Sequence, residues 1–315
     1  NEDITDGDSS SSDDEEDNEL VSKGLFNSYC KGNLRNVINV SQFNRNNLRA
    51  LFRNSSILKQ NVKKFGKLNL LNGKIVGLYF DEPSSRTYGS FYAAVKKLGG
   101  DVLSLNSSNS SSKKGESLYD TLKCIESYCD MVVIRTKLKN SLLEIQDKIK
   151  IPIINAGDGD GEHPTQALLD TFTIREERGT VNKLVVSIVG DLKYGRTVHS
   201  LVKVLGNYDI KFNFVSIEEL SLDETTIKFL ENNNIKYNTY NSINDIIETS
   251  DVLYMTRIQK ERLNEEVLDD DFIKQNLYLT QEILTNAKNN IVIMHPLPRN
   301  EEININIDND PRAAY

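Results

Sequence analysis

The chain has 315 residues, long enough for two domains that each bury a core. Its net charge of −8 misleads: residues 1–20 hold ten Asp or Glu and no Lys or Arg, the remainder carries +2, and so nothing global points to nucleic acid or to an acidic membrane surface. Three cysteines, Cys30, Cys124 and Cys129, form no C-x-x-C spacing and have no clustered His, which argues against a disulfide framework or a zinc site and suits a reducing, cytoplasmic compartment; no apolar run approaches the roughly 20 residues of a membrane helix.

Residues 1–19 are Ser, Asp and Glu with almost nothing to bury, which predicts a disordered acidic leader. From 20 to 71 the spacing is helical, with Leu48, Leu51 and Phe52 as a core-facing set. Ile75 to Phe80 is an unpunctuated apolar run, a buried strand, that empties into Asp81, Glu82 and Pro83. Tyr88, Phe91, Val95 and Leu98 then recur at helical spacing until Gly99 and Gly100 stop the pattern. Strand, tight turn and helix follow one another. Ser84, Ser85, Arg86 and Thr87 therefore stand at a helix N-terminus, where unpaired N–H groups and the positive dipole end attract an anion, and their hydroxyls and guanidinium add donors to that point. A capping Ser84 and a solvated Arg86 would give the same letters. An arginine in a first turn is the less expected part, because the dipole there disfavours a cation unless an anion is present.

Residues 102–105 form the next strand, followed by a serine-rich loop, 106–117, with Lys113 and Lys114 at its tip. Leu118, Leu122 and Ile125 continue a helix, 131–134 is a strand ending in Arg135, and 151–154 is a strand followed by the glycine-rich turn 155–166. In the second half, strands at 184–189, 212–215, 252–255 and 291–294 alternate with helical segments such as the face of Val198, Leu201, Val202 and Leu205. This alternation, seen twice, predicts an α/β chain of two doubly wound parallel-sheet domains, with the active site in a cleft between them. The expected division is a leader at 1–19, a first domain at 20–163 and a second at 164–315.

The strand exits collect Ser84, Ser85, Arg86, Thr87, Arg135, His163, Gln166, Arg196, Arg257 and Gln259. There is no Cys–His pair, no metal-ligand cluster and no G-x-x-x-x-G-K-[ST] loop, so no metal or cofactor is expected. Guanidinium groups and hydroxyls without a covalent nucleophile are the equipment of a site that binds polyanions and works by positioning and charge stabilisation. Any one of these arginines could instead serve a structural ion pair.

Six stretches in order, S-S-R-T at 84–87, S-K-K-G-E at 112–116, H-P-T-Q at 163–166, G-D-L-K-Y-G-R-T-V-H-S at 190–200, M-T-R-I-Q-K-E-R at 255–262 and H-P-L-P-R at 295–299, make the chain resemble the aspartate carbamoyltransferases over roughly residues 30–315. S-x-R-T and H-P-x-Q belong to the wider carbamoyltransferase group, whereas the last three stretches resemble its aspartate branch; ornithine enzymes usually carry a cysteine where Pro296 stands. The resemblance implies transfer of a carbamoyl group from carbamoyl phosphate to L-aspartate, a step of pyrimidine biosynthesis, without a cofactor. By it, Ser84, Ser85, Arg86 and Thr87 hold the phosphate, Arg86, Thr87, Arg135 and His163 are catalytic, and Gln166 with the backbone carbonyls of Pro296 and Leu297 faces the carbamoyl nitrogen or the attacking amine. Arg196, Arg257 and Gln259 take the carboxylates of L-aspartate. Ser110 and Lys114 would reach a neighbouring subunit's site in a homotrimer, Lys114 touching both substrates, and the Leu297–Pro298 bond would be cis. Two departures stand out: Ser85 and Tyr88 replace the second and fifth letters of the family's usual S-T-R-T-R, and the family's C-terminal helix is not seen before Tyr315. A non-catalytic relative would need one of Arg86, Thr87, Arg135 or His163 replaced, and all are present.

Overall fold

The structure, a computed structural model, describes residues 35–106, 115–259 and 270–315. The acidic leader, Ser110 and Lys114 lie outside the described residues. Two compact units divide the chain: one takes the described residues up to Ile38 with Asn46–Ala156, the other Asn39–Arg45 with Gly157–Tyr315. The division falls inside a strand, ahead of the sequence-based boundary at 163/164, because the turn that follows Ala156 bonds within the second unit, Lys203 Nζ reaching Glu162 Oε1 at 2.7 Å.

In the first unit, helix α1 (Arg45–Phe65) leads into β1 (Ile75–Phe80), α2 (Ser85–Lys97), β2 (Asp101–Asn106), α3 (Leu118–Ile125), β3 (Met131–Thr136), α4 (Ser141–Ile145) and β4 (Ile153–Asp158). The sheet order is β2-β1-β3-β4, with β1 parallel to both β2 and β3. Strands covered on both faces need no polar alternation, as the apolar run Met131–Ile134 of β3 shows. Val132 and Ile134 enter a core with Leu122, Leu142 and Ile153, while Val133, between them, enters the opposite one with Val76, Leu78 and Val95.

The second unit runs α5 (Pro164–Arg178), β5 (Leu184–Val189), α6 (Arg196–Leu205), β6 (Ile210–Val215), α7 (Glu224–Asn232), β7 (Lys236–Tyr240), β8 (Val252–Met255), α8 (Asp270–Leu277), α9 (Gln281–Thr285) and β9 (Val292–Met294). Its sheet order is β7-β6-β5-β8-β9, with every adjacent pair parallel. Phe212, Ile188, Leu253 and Ile293 are fully buried along it, and each such side chain contributes roughly 1.5–3 kcal/mol. β7 escaped the sequence reading because K-Y-N-T-Y is a mostly exposed edge strand with only its tyrosines half-buried. Both sheets reverse their order once, between β1 and β3 and between β5 and β8. In open α/β sheets ligands bind outside the carboxyl ends of the strands at such a reversal.

Candidate active site

At the first reversal, Ser84 is the N-cap of α2 with extended backbone, yet its side chain makes no capping hydrogen bond, and the first turn carries no acid. The hydroxyl is thus not spent on the helix. Arg86 is exposed, and among the described residues its guanidinium has no ion pair. Arg135, at the end of β3 opposite Phe80, is buried and fixed from two sides: Nη2 donates to Glu82 Oε1 at 2.8 Å, and Nη1 to the Ala156 carbonyl at 3.4 Å and Thr87 Oγ1 at 3.5 Å. Ser84, Ser85, Arg86 and Thr87 thus stand at the N-terminus of α2, where an anion would find unpaired N–H groups, and Arg135 reaches Thr87 there. Tyr88 packs edge-on against Phe80, stacks on Tyr92 and bonds through its hydroxyl to Ser104.

In the second unit α5 opens with His163 as N-cap and Pro164 in its first turn, a position suited to a residue without an N–H. The buried His163 ring accepts the Gln166 N–H at Nδ1 (3.3 Å), so its neutral form carries the proton on Nε2. The backbone N–H of His163 donates to Ser200 Oγ at 3.1 Å. Gln166 Nε2 donates to Asp170 Oδ1 at 2.9 Å, and Tyr254, fully buried on β8, donates its hydroxyl to Asp170 Oδ2 at 2.8 Å. Burial pushes the Asp170 carboxyl up to about 7, although both of these donors pull it down.

The exits of β5 and β8 touch. Gly190 has φ +119° and an added Cβ would stand 2.6 Å from the Thr256 carbonyl oxygen, so a side chain is sterically excluded there. Beside it Asp191, with no exposed surface, accepts the N–H of Tyr194 at 2.9 Å and of Lys193 at 3.2 Å on Oδ1, and Gln259 Nε2 at 2.9 Å on Oδ2. Arg196 begins α6 with Nη1 donating to the Gly159 carbonyl, and Arg257, two residues past β8, is half-buried. The two arginines and Gln259 thus come from the two strand exits at the second reversal.

After β9, His295 is buried between its own turn and Glu302: Nε2 lies 2.8 Å from Glu302 Oε1, and Nδ1 accepts the Leu297 N–H at 2.8 Å. Burial alone would raise the Glu302 carboxyl, but hydrogen bonds from His295 and the Asn300 N–H outweigh it and hold the carboxyl below the usual range. Leu297 has φ +56° and the Leu297–Pro298 peptide is cis.

Sequence reasoning missed the acids behind these groups: Glu82, Asp170, Asp191 and Glu302, and with them Tyr254. Two had a signal, since Asp170 lies four residues after Gln166 on one helix face and Asp191 sits inside the G-D-L-K-Y-G-R stretch. A separate cavity of about 900 Å³ at the exits of β6 and β7, walled by Phe214, Tyr237, Tyr240, Glu218 and Glu219, includes none of the expected site residues.

Comparison with known proteins bears on this geometry. The aspartate/ornithine carbamoyltransferase carbamoyl-P binding domain matches residues 35–176, and the Asp/Orn binding domain of the same family matches 182–315. The aspartate carbamoyltransferase catalytic subunit of Picrophilus torridus is 41% identical over 280 residues, covering 89% of this chain and 91% of that one. The chain belongs to the aspartate carbamoyltransferase family. The multifunctional protein pyr1-3 of Dictyostelium discoideum is 48% identical over 281 residues, and the chain spans 13% of its length. Among solved structures, aspartate transcarbamoylase of Trypanosoma cruzi in complex with N-(phosphonacetyl)-L-aspartic acid superposes with TM-score 0.84 at 38% identity, covering 89% of this chain and 90% of that one. The catalytic subunit of the M. jannaschii aspartate transcarbamoylase gives the same TM-score and identity over 90% and 92%.

Proposed function

We propose that this chain transfers the carbamoyl group of carbamoyl phosphate to the amine of L-aspartate, giving N-carbamoyl-L-aspartate and phosphate, an early committed step of pyrimidine biosynthesis. The observation that carries the reading is the anion seat at the start of α2, where Ser84 leaves its hydroxyl uncommitted and Arg86 has no ion pair among the described residues. A structure of the T. cruzi enzyme in complex with carbamoyl phosphate and aspartate supports the choice of substrates.

In this reading Ser84, Ser85, Arg86 and Thr87 hold the phosphate, and Thr87, Arg135 and the His163 Nε2–H stabilise the carbonyl oxygen. The amine attacks the carbonyl carbon, a C–N bond forms, the tetrahedral oxyanion collapses, and the C–O bond to phosphate breaks. The departing phosphate takes the amine proton. Gln166 and the carbonyls of Pro296 and Leu297 fix the carbamoyl nitrogen and the amine, while Arg196, Arg257 and Gln259 bind the two carboxylates.

Phosphate release from carbamoyl phosphate tests this: it is expected with L-aspartate and not with L-ornithine, and no release with L-aspartate defeats it. The assembly belongs to the same proposal. Ser110 and Lys114 of a neighbouring chain complete each site of a homotrimer, a reading supported by the name of the archaeal relative, a catalytic subunit, and by the exposed Tyr92 on α2. Mixing inactive Lys114→Ala and Arg86→Ala chains should restore part of the activity; verified mixed trimers without recovery contradict shared sites. A reducing cytoplasm fits the unpaired Cys124 and Cys129.

A further inference from the structure

Asp170 is an expensive residue to keep where it is. It is 3% exposed, and its bonded partners are two neutral donors, the Gln166 carboxamide and the Tyr254 hydroxyl, with no cation among them. A buried carboxylate without a cation opposes folding, and an apolar side chain of similar size would fill the space at less cost. Its stability contribution therefore does not account for it, and its geometry offers another role.

A carboxamide has two faces that differ by a half-turn, a donor and an acceptor, and nothing in its shape chooses between them. Asp170 makes the choice for Gln166. Oδ1 takes the Nε2–H, and the carboxyl cannot rotate away because Tyr254, rigid in the sheet at β8, bonds Oδ2. Tyr254 is in turn hydrogen-bonded to the Thr197 hydroxyl, next to Arg196 in the first turn of α6, a helix packed on α5. The result is one chain of bonds, Gln166, Asp170, Tyr254 and Thr197, lying behind two groups of the expected site. With Nε2 committed inward, the carbonyl Oε1 is the end left for a ligand, and an oxygen there accepts from an NH2 group and rejects an oxygen atom in its place.

We propose that Asp170, braced by Tyr254, is a positioning residue that locks the Gln166 carboxamide with its oxygen towards the ligand, making the site selective for the carbamoyl nitrogen. This rests on the carbamoyl transfer reading above and adds what sets the discrimination. The bond to Gln166 uses only an acceptor lone pair on Oδ1, so an asparagine, which keeps a carbonyl oxygen, preserves most of the effect.

Direct titration of the purified full chain with two ligands tests it, carbamoyl phosphate having the NH2 group and inorganic phosphate lacking it. Asp170→Ala should weaken carbamoyl phosphate about tenfold, the size of one lost net hydrogen bond, and change inorganic phosphate by less than about twofold. Asp170→Asn should bind both within about threefold of the parent. In a Gln166→Ala background, adding Asp170→Ala should move carbamoyl phosphate affinity by less than about twofold, because the group through which it acts is gone. If Asp170→Ala does not fold, the contrast is read on Tyr254→Phe, with a loss of about threefold for carbamoyl phosphate alone. Equal weakening for both ligands, a full loss that persists in the Gln166→Ala background, or no loss overturns the proposal. An unmodified chain that does not bind carbamoyl phosphate sinks the carbamoyl transfer reading as well, whereas binding with an unselective Asp170→Ala sinks this inference alone.

Discussion

Arg86 and Gln259 both belong to the expected site and stand in opposite electrostatic situations. Arg86 is exposed on the first turn of α2, on a positive helix end with no acid nearby in the turn, and its charge has no counter-ion among the described residues. Gln259 is neutral and already bonded to a carboxylate, Asp191, that is itself buried. The difference extends to their surroundings. In the second unit Gln166 leans on Asp170, Gln259 on Asp191 and the turn after His295 on Glu302, so the amides and backbone of the expected site are oriented by the chain itself. In the first unit Arg135 is braced in this way, by Glu82. On the proposed reading, the first unit meets the ligand's charge with an exposed guanidinium, whereas the second sets amides already held by carboxylates beside the guanidinium groups of Arg196 and Arg257.

That contrast can be broken in several places. The largest effect belongs to Arg86→Ala, expected to cost about 10³-fold in kcat/KM while leaving thermal unfolding nearly unchanged, because the side chain is exposed and has no ion pair among the described residues. A loss below tenfold would remove the open anion seat from the account. Asp191→Ala should come next, raising KM for L-aspartate about 10²-fold with carbamoyl phosphate affinity preserved, and lowering stability by about 1–3 kcal/mol as the Lys193 and Tyr194 N–H groups lose their acceptor. Unchanged KM for L-aspartate speaks against Asp191 as the support of Gln259.

A pH series sharpens the comparison from the side of folding. The Asp170 carboxyl titrates at about 7 in the folded chain, far above an unfolded aspartate, because burial disfavours its charge. The folded state holds a proton that the unfolded state has released, so this group's favourable contribution is complete below the unfolded value near pH 4 and is lost as pH rises through 7. Asp170→Asn does not titrate, and its stability relative to the parent should climb by on the order of 2 kcal/mol between pH 4.5 and 8 in urea unfolding. A difference flat across that range contradicts a buried, uncharged-when-acid Asp170. Glu302→Ala should have the smallest effect, a stability loss of about 1–2 kcal/mol, with Glu302→Gln recovering roughly half by keeping an acceptor for His295.

Most of the architecture was legible because strands buried on both faces write themselves as apolar runs, as Ile75–Phe80 and Leu184–Val189 do. β7 was not, since an exposed edge strand of Lys, Tyr, Asn and Thr carries no such run. The site divides likewise. Arginines and serines at strand exits announce anion chemistry by type and position, but Ser84 as a cap and Ser84 as a ligand donor share one letter, and only the missing capping bond separates them. The supporting acids stayed hidden for a related reason: Asp170, Asp191 and Glu302 look like solvated carboxylates in a chain rich in them, and burial is a tertiary property.

Calorimetric titration of carbamoyl phosphate into Arg86→Ala and Asp191→Ala, beside the unmodified chain, most directly tests the division between the open Arg86 and the braced Gln259. Arg86→Ala should show no measurable binding and Asp191→Ala an affinity within about threefold of the parent, because the proposed phosphate seat is built from residues of the first unit. Comparable losses in both variants, or retained binding by Arg86→Ala, would contradict it.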